Sequence, residues 1–104
     1  MGNPMKIRAA VADSVTEVKI LMQHEMETGL RKDADGVLVP AWFIMEVKAQ
    51  YQGRTVFEAQ FAQSVSKNPY LVFRFKGGDA GEKITVSWVD NKGDSRSDEA
   101  MIAA

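Results

Sequence analysis

The chain has no cysteine. That removes disulfides, thiolate nucleophiles, iron–sulfur ligation and most structural zinc sites together, so any sulfur chemistry would have to be carried by another chain. It has a single histidine, His24, and a histidine-rich metal or catalytic constellation is excluded with it. No apolar run approaches the roughly 18 residues of a membrane helix, and "MGNPMKIRAAV" lacks the long apolar stretch of a secretory leader. The expectation is a protein without a membrane span and without its own export signal. The formal net charge is only −1, so the basic excess that phosphate neutralisation demands is missing and nucleic acid is not an expected partner. Linkers, repeats and low-complexity tracts are absent as well. The 104 residues are expected to form one domain, residues 1–104, that buries roughly two-thirds of its unfolded surface.

What is present is alternation of apolar and polar residues at short intervals, the mark of half-buried antiparallel strands. Ile7, Ala9 and Val11 share one parity and Lys6 and Arg8 the other, up to a turn at Ala12-Asp13-Ser14. Val18, Ile20 and Met22 then point inward between Glu17 and Lys19, and His24 continues the inward parity. Residues 25–39 show neither period and read as a long loop, a length uncommon without a purpose. Phe43, Met45 and Val47 alternate with Glu46 and Lys48 in the next hairpin, whose second strand places Phe57, Ala59 and Phe61 on one face. A two-residue Gln52-Gly53 turn would set Val47 against Glu58, so a three-residue loop is expected, which brings the apolar faces together. Leu71, Phe73 and Phe75 form the inner face of a strand begun at Pro69. Ile84, Val86 and Trp88 do the same in "KITVSWVD", and a turn over Asn91-Lys92-Gly93-Asp94 leads to "SRSDEAMIA". Seven short strands predict an all-β fold, an immunoglobulin-like antiparallel β-sandwich.

The motifs that suggest chemistry are incomplete. His24-Glu25 begins like the zinc-protease H-E-x-x-H, but the position of the second histidine holds Thr28. "KDADG" resembles part of a calcium loop, yet Arg31 and Trp42 would stand where acidic ligands belong. The glycines of "KGGDAGE" are followed by no helix whose N–H groups could cradle a phosphate. Ser14, Ser64, Ser66, Ser87, Ser95 and Ser97 share one possible base, and no spacing singles out a nucleophile. No catalytic residue, no cofactor and no metal is expected. The remaining signal is apolar residues at outward parity: Trp42, Ile44, Val56, Tyr70 and Val72. With Met22 and Met26 beside the long loop and His24-Glu25 at its start, they make up a candidate surface for a protein partner, the alternative being that the loop of residues 25–39 folds over this face and buries it.

Several stretches, "IRAAV", "HEMETG" with "RKDADG", "VPAWFI", "VSKNPYL" and "ITVSWVDNKGD", resemble the SoxZ family in order and span nearly the whole chain. SoxZ is a subunit of the SoxYZ carrier complex of thiosulfate oxidation. The resemblance implies an immunoglobulin-like sandwich in the periplasm, exported with a partner that bears the signal. It also implies a heterodimer with a SoxY-type subunit whose C-terminal cysteine holds the sulfur intermediates, and transient contacts with other Sox enzymes. On this reading the chain is a scaffold and not an enzyme, and His24 to Lys32 forms a corner and loop at the interface. An unpaired apolar face would allow a homodimer in isolation. Two other readings stay open: a small metal-dependent redox domain on a similar sandwich, and a free-standing ligand module that stacks carbohydrate on Trp42 or Tyr70.

Overall fold

The computed structural model describes residues 2–104. Its strands are β1 (Lys6–Ala12), β2 (Val15–Leu21), β3 (Ile44–Tyr51), β4 (Arg54–Gln60), β5 (Tyr70–Lys76), β6 (Lys83–Asp90) and β7 (Ser95–Ala103). The first hairpin follows directly from its residues. Asp13 and Ser14 both take positive φ, 53° and 64°, the backbone of a two-residue turn whose twist suits antiparallel strands. Ala12 therefore pairs with Val15 and Lys6 with Leu21, which sends Val18 and Ile20, and Met22 beyond them, inward to complete burial.

The strands run in the order β4-β3-β6-β7-β1-β2-β5. All neighbours are antiparallel except β1 and β7, which pair in parallel at Ala9 with Ile102 and Ala10 with Ala103. At that seam the sheet folds over, and the chain adopts the expected β-sandwich, with β4-β3-β6-β7 as one layer and β1-β2-β5 as the other. Ile20, Ile44, Val47, Ile84, Val86 and Ile102 fill the space between them. The open sides of the two layers meet through aromatic rings. Phe57 of β4 stacks on Phe73 of β5 at a centroid distance of 4.3 Å, and Tyr51 of β3 lies 5.4 Å from Phe75. Such ring pairs contribute beyond their area, which suits a side of the sandwich that has no ladder of hydrogen bonds.

The β3–β4 hairpin corrects one expectation and supports another. Its turn has two residues, not three: Gln52 and Gly53 take φ of 50° and 77°, and Tyr51 pairs with Arg54. The apolar register is nevertheless reached, with Val47 opposite Ala59 and Ala49 opposite Phe57, because the ladder shifts between Ala49 and Gln50. A bulge at Val56 supplies the step that the loop was expected to supply. It also turns Val56 from its expected outward position to a half-buried one packed against the core. A second shift, between Ile44 and Glu46 on the β6 side, makes Met45 the extra residue. Ile44 and Val47 then both enter the core, while Met45 is 41% exposed, which reverses the expected orientation of Ile44 and Met45. Since Gln is a poor residue for left-handed φ and Asn a good one, Gln52→Asn is expected to stabilise the fold by about 0.5 kcal/mol, seen as a small rise in thermal midpoint.

Candidate functional site

The inward parity of β6 runs through Ile84, Val86 and Trp88 and ends on a carboxylate, Asp90, which is 1% exposed. A buried charge needs donors, and Asp90 has four. Oδ1 accepts the backbone N–H of Lys92 and of Asp94, both at 2.9 Å, and so shapes the turn into β7. Oδ2 accepts Nε2–H of His24 at 3.0 Å and the indole Nε1–H of Trp42 at 2.8 Å. Burial alone would raise the Asp90 pKa, but the bonds from His24, Trp42 and the turn amides outweigh it, and the carboxyl lies below its usual range.

His24 is fixed from every side. Its Nδ1 accepts the backbone N–H of Met26 at 3.0 Å, which places the ring proton on Nε2, facing Asp90. The ring sits edge-on to Trp42 at 5.0 Å and to Trp88 at 5.2 Å. Its backbone N–H donates to Asn68 Oδ1 and its carbonyl accepts the N–H of Asn68, both at 3.0 Å. Met26 takes a left-handed φ of 51°, and this is what brings its amide back to the ring. Neither ring nitrogen keeps a lone pair for a metal, so the corner His24-Glu25-Met26 is a structural joint.

Beside this joint lies a cleft of about 510 Å³, with Gln23, Glu25, Trp42, Lys67 and Asn68 in its walls. Lys67 and Glu25 form an ion pair at 3.0 Å there, and the Lys92 ammonium sits 4.4 Å above the Trp42 ring. The Trp88 indole N–H is buried without a partner among the described residues.

From the joint the chain leaves as an arm, residues 27–42. Glu27 and Trp42 exchange backbone hydrogen bonds at its base, Lys32 and Leu38 form a bridge farther out, and Asp33 Oδ1 accepts the N–H groups of Asp35 and Val37 to close the tip. Arg31 donates twice to the Glu27 carboxylate, at 2.6 and 3.0 Å, along the side of the arm. Leu30, Val37 and Leu38 are 83%, 60% and 55% exposed. The arm thus holds three aliphatic side chains in water.

Of the residues expected to form a partner surface, Met22 and Ile44 are fully buried, and Met26 and His24 are 5% and 6% exposed. The expected surface role of Met22 and Met26 is thereby corrected: both side chains point into the core. Glu25, Tyr70 and Val72 are exposed, and Trp42 and Val56 are half-buried. Val56 lies on β4, and Tyr70 and Val72 lie on β5 of the other layer. Leu30, Val37 and Leu38 were missed because an irregular loop offers no period from which exposure can be read. Asp90 was missed although a signal existed, the fourth inward position of β6.

A model of the family described as "Sulphur oxidation protein SoxZ" matches residues 5–101. No curated protein sequence matches the chain. Among solved structures, the superoxide reductase (neelaredoxin) of Archaeoglobus fulgidus in its reduced form is similar, with a TM-score of 0.65 and 21% identity over 96% of this chain and 89% of that one. A single-substitution variant of the same reductase gives a TM-score of 0.63 and 21% identity, covering 99% and 91%. At that identity the likeness is one of fold. The match over residues 5–101 settles the lineage: this chain belongs to the SoxZ family of sulphur oxidation proteins.

Proposed function

We propose that the chain is a non-catalytic binding subunit that holds a SoxY-type partner, and that sulfur intermediates ride on the partner's C-terminal cysteine while other Sox enzymes act on them. The family match carries this reading. Two properties of the chain support it. It has no thiol of its own, and its one imidazole has both nitrogens committed to internal hydrogen bonds. The arm is the contact element: Leu30, Val37 and Leu38 supply the apolar centre, with Glu25 and the edge of Trp42 at its base. A standard interface takes about 800 Å² from each side, within the reach of such an arm and the cleft beside it. The compartment is the periplasm, reached in the company of a partner with an export signal.

The test is coexpression with a SoxY-type subunit from the same organism, followed by size exclusion with light scattering. A one-to-one complex is expected, and the triple variant Leu30→Asp, Val37→Asp, Leu38→Asp is expected to weaken it by at least ~10-fold while leaving the fold intact. Separate elution of the two chains would overturn the reading. An undiminished complex in the variant would remove the arm from it.

A further inference from the structure

The two outer faces of the sandwich handle charge differently. On the β4-β3-β6-β7 layer, cross-strand neighbours compensate each other: Lys48 stands opposite Glu58 and contacts Glu46 at 3.3 Å. On the β1-β2-β5 layer the outward parity carries Lys6, Arg8, Lys19, Arg74 and Lys76 against one carboxylate, Glu17. Glu17 is already shared, 2.5 Å from Arg74 and 3.8 Å from Lys19. Arg8 and Lys19 face each other directly across the β1–β2 ladder. Like charges in that position destabilise a sheet, so the fold does not account for them. Cations on an edge strand such as β5 discourage strand-to-strand aggregation, but β1 and β2 lie inside the strand order, where no edge needs protecting. With a net charge of −1 overall, the remainder of the molecule is acidic and this face is a local positive field.

The same face has an apolar centre. Ala10, Ala103 and the exposed Met101 line a hollow of about 410 Å³ whose rim includes Arg8, Lys19 and Glu17, the last engaged by Arg74 and Lys19. Tyr70 and Val72, 61% and 42% exposed, continue it across β5.

We propose that the outer face of β1-β2-β5 docks an acidic protein surface that sets carboxylates against Arg8 and Lys19 and seats an apolar side chain in the hollow at Ala10 and Met101. This site uses neither the arm nor the joint at His24, so it is available to a second protein while the arm is engaged. A polyanion such as DNA fits it less well, because an extended phosphate backbone would run onto the acidic remainder and an apolar hollow gives phosphate nothing to bind.

The test is an NMR titration of the ¹⁵N-labelled full chain with a short synthetic peptide alternating glutamate and leucine. A glutamate–serine peptide of equal charge and an oligothymidylate strand serve as comparisons. Amide shifts are expected on β1, β2, β5 and the Met101–Ala103 end of β7 only, with the leucine peptide bound at least ~5-fold more tightly than the serine peptide. Affinity is expected to fall ~10-fold between about 50 and 300 mM salt. The double variant Arg8→Gln, Lys19→Gln is expected to bind ~10-fold more weakly, with a thermal midpoint equal to or above that of the parent, since an opposed like-charge pair has been removed. Shifts on another face, equal binding of the two peptides, unchanged affinity in the double variant, a lowered midpoint, or tighter binding of the oligothymidylate would each overturn the proposal.

Discussion

Asp90→Ala is expected to lower stability by about 3–5 kcal/mol, the scale seen when one member of a buried hydrogen-bonded charge cluster is removed. The substitution deletes one side chain but orphans donors on four residues: His24, Trp42, Lys92 and Asp94. Each buried donor left without an acceptor costs about 1–3 kcal/mol, and water entering the new cavity recovers part of it. Asp90→Asn keeps the shape and one acceptor oxygen, but turns an NH₂ group toward N–H donors, so a smaller loss is expected. The two variants also separate size from charge. The carboxyl is depressed in the fold relative to its ordinary value of 3.8, so its contribution is complete above that value and is lost as pH falls through the lower folded value. The parent should therefore lose more stability than Asp90→Asn as pH falls below 3.8, with the two curves converging in stronger acid. Chemical denaturation across that range measures both effects. A thermal midpoint for Asp90→Ala within experimental error of the parent would show that the joint at His24 is held by packing alone.

Gly78→Ala is expected to cost about 2–4 kcal/mol, from two sources that a second variant can tell apart. Gly78 has a φ of +89°, and an added methyl would run into the Thr16 hydroxyl and lie 3.3 Å from Ile102 Cδ1. Neither neighbour can yield easily. Thr16 is fully buried and donates its hydroxyl to the Gly77 carbonyl at 2.6 Å, while Ile102 belongs to the β1–β7 seam. Gly36 supplies the comparison: it too has positive φ, +77°, but an added Cβ there meets nothing within 4 Å. Gly36→Ala should show the conformational cost alone, about 1 kcal/mol, and the difference between the two variants measures the close approach of the 77–81 turn to β2. Equal losses at both positions would mean that the turn moves away freely.

The parity of β1, β2, β5 and β6 was legible because each is regular over its length and one face is buried; Val18, Ile20, Phe73, Ile84 and Val86 could be placed from alternation alone. Ile44 and Val56 could not. A bulge is a property of two strands in register, and nothing within "FIMEV" or "TVFEA" marks Met45 or Val56 as the unpaired residue. The register of β3 on β4 was nonetheless correct, because Val47 and Ala49 require apolar partners however the turn achieves it. At the joint, the inward parity of His24 was readable, whereas its bond to Asp90 spans 66 residues and depends on how the two layers meet. The arm lay beyond reach for a different reason: its shape comes from Asp33 side-chain bonds and two isolated bridges, which leave no periodic trace.

The parallel pairing of β1 with β7 sets the order in which the molecule can be completed. The β1–β2 hairpin can form as soon as residues 6–21 leave the ribosome, but the seam that joins the two layers needs residues 102 and 103. Without that seam the two layers meet through side chains, with Phe57 on Phe73 and Tyr51 beside Phe75, and not through a backbone ladder. Closure of that seam is a non-local step, with the slow search that such pairing entails. A mutation that loosens the seam is therefore expected to appear first as lost yield rather than lost binding.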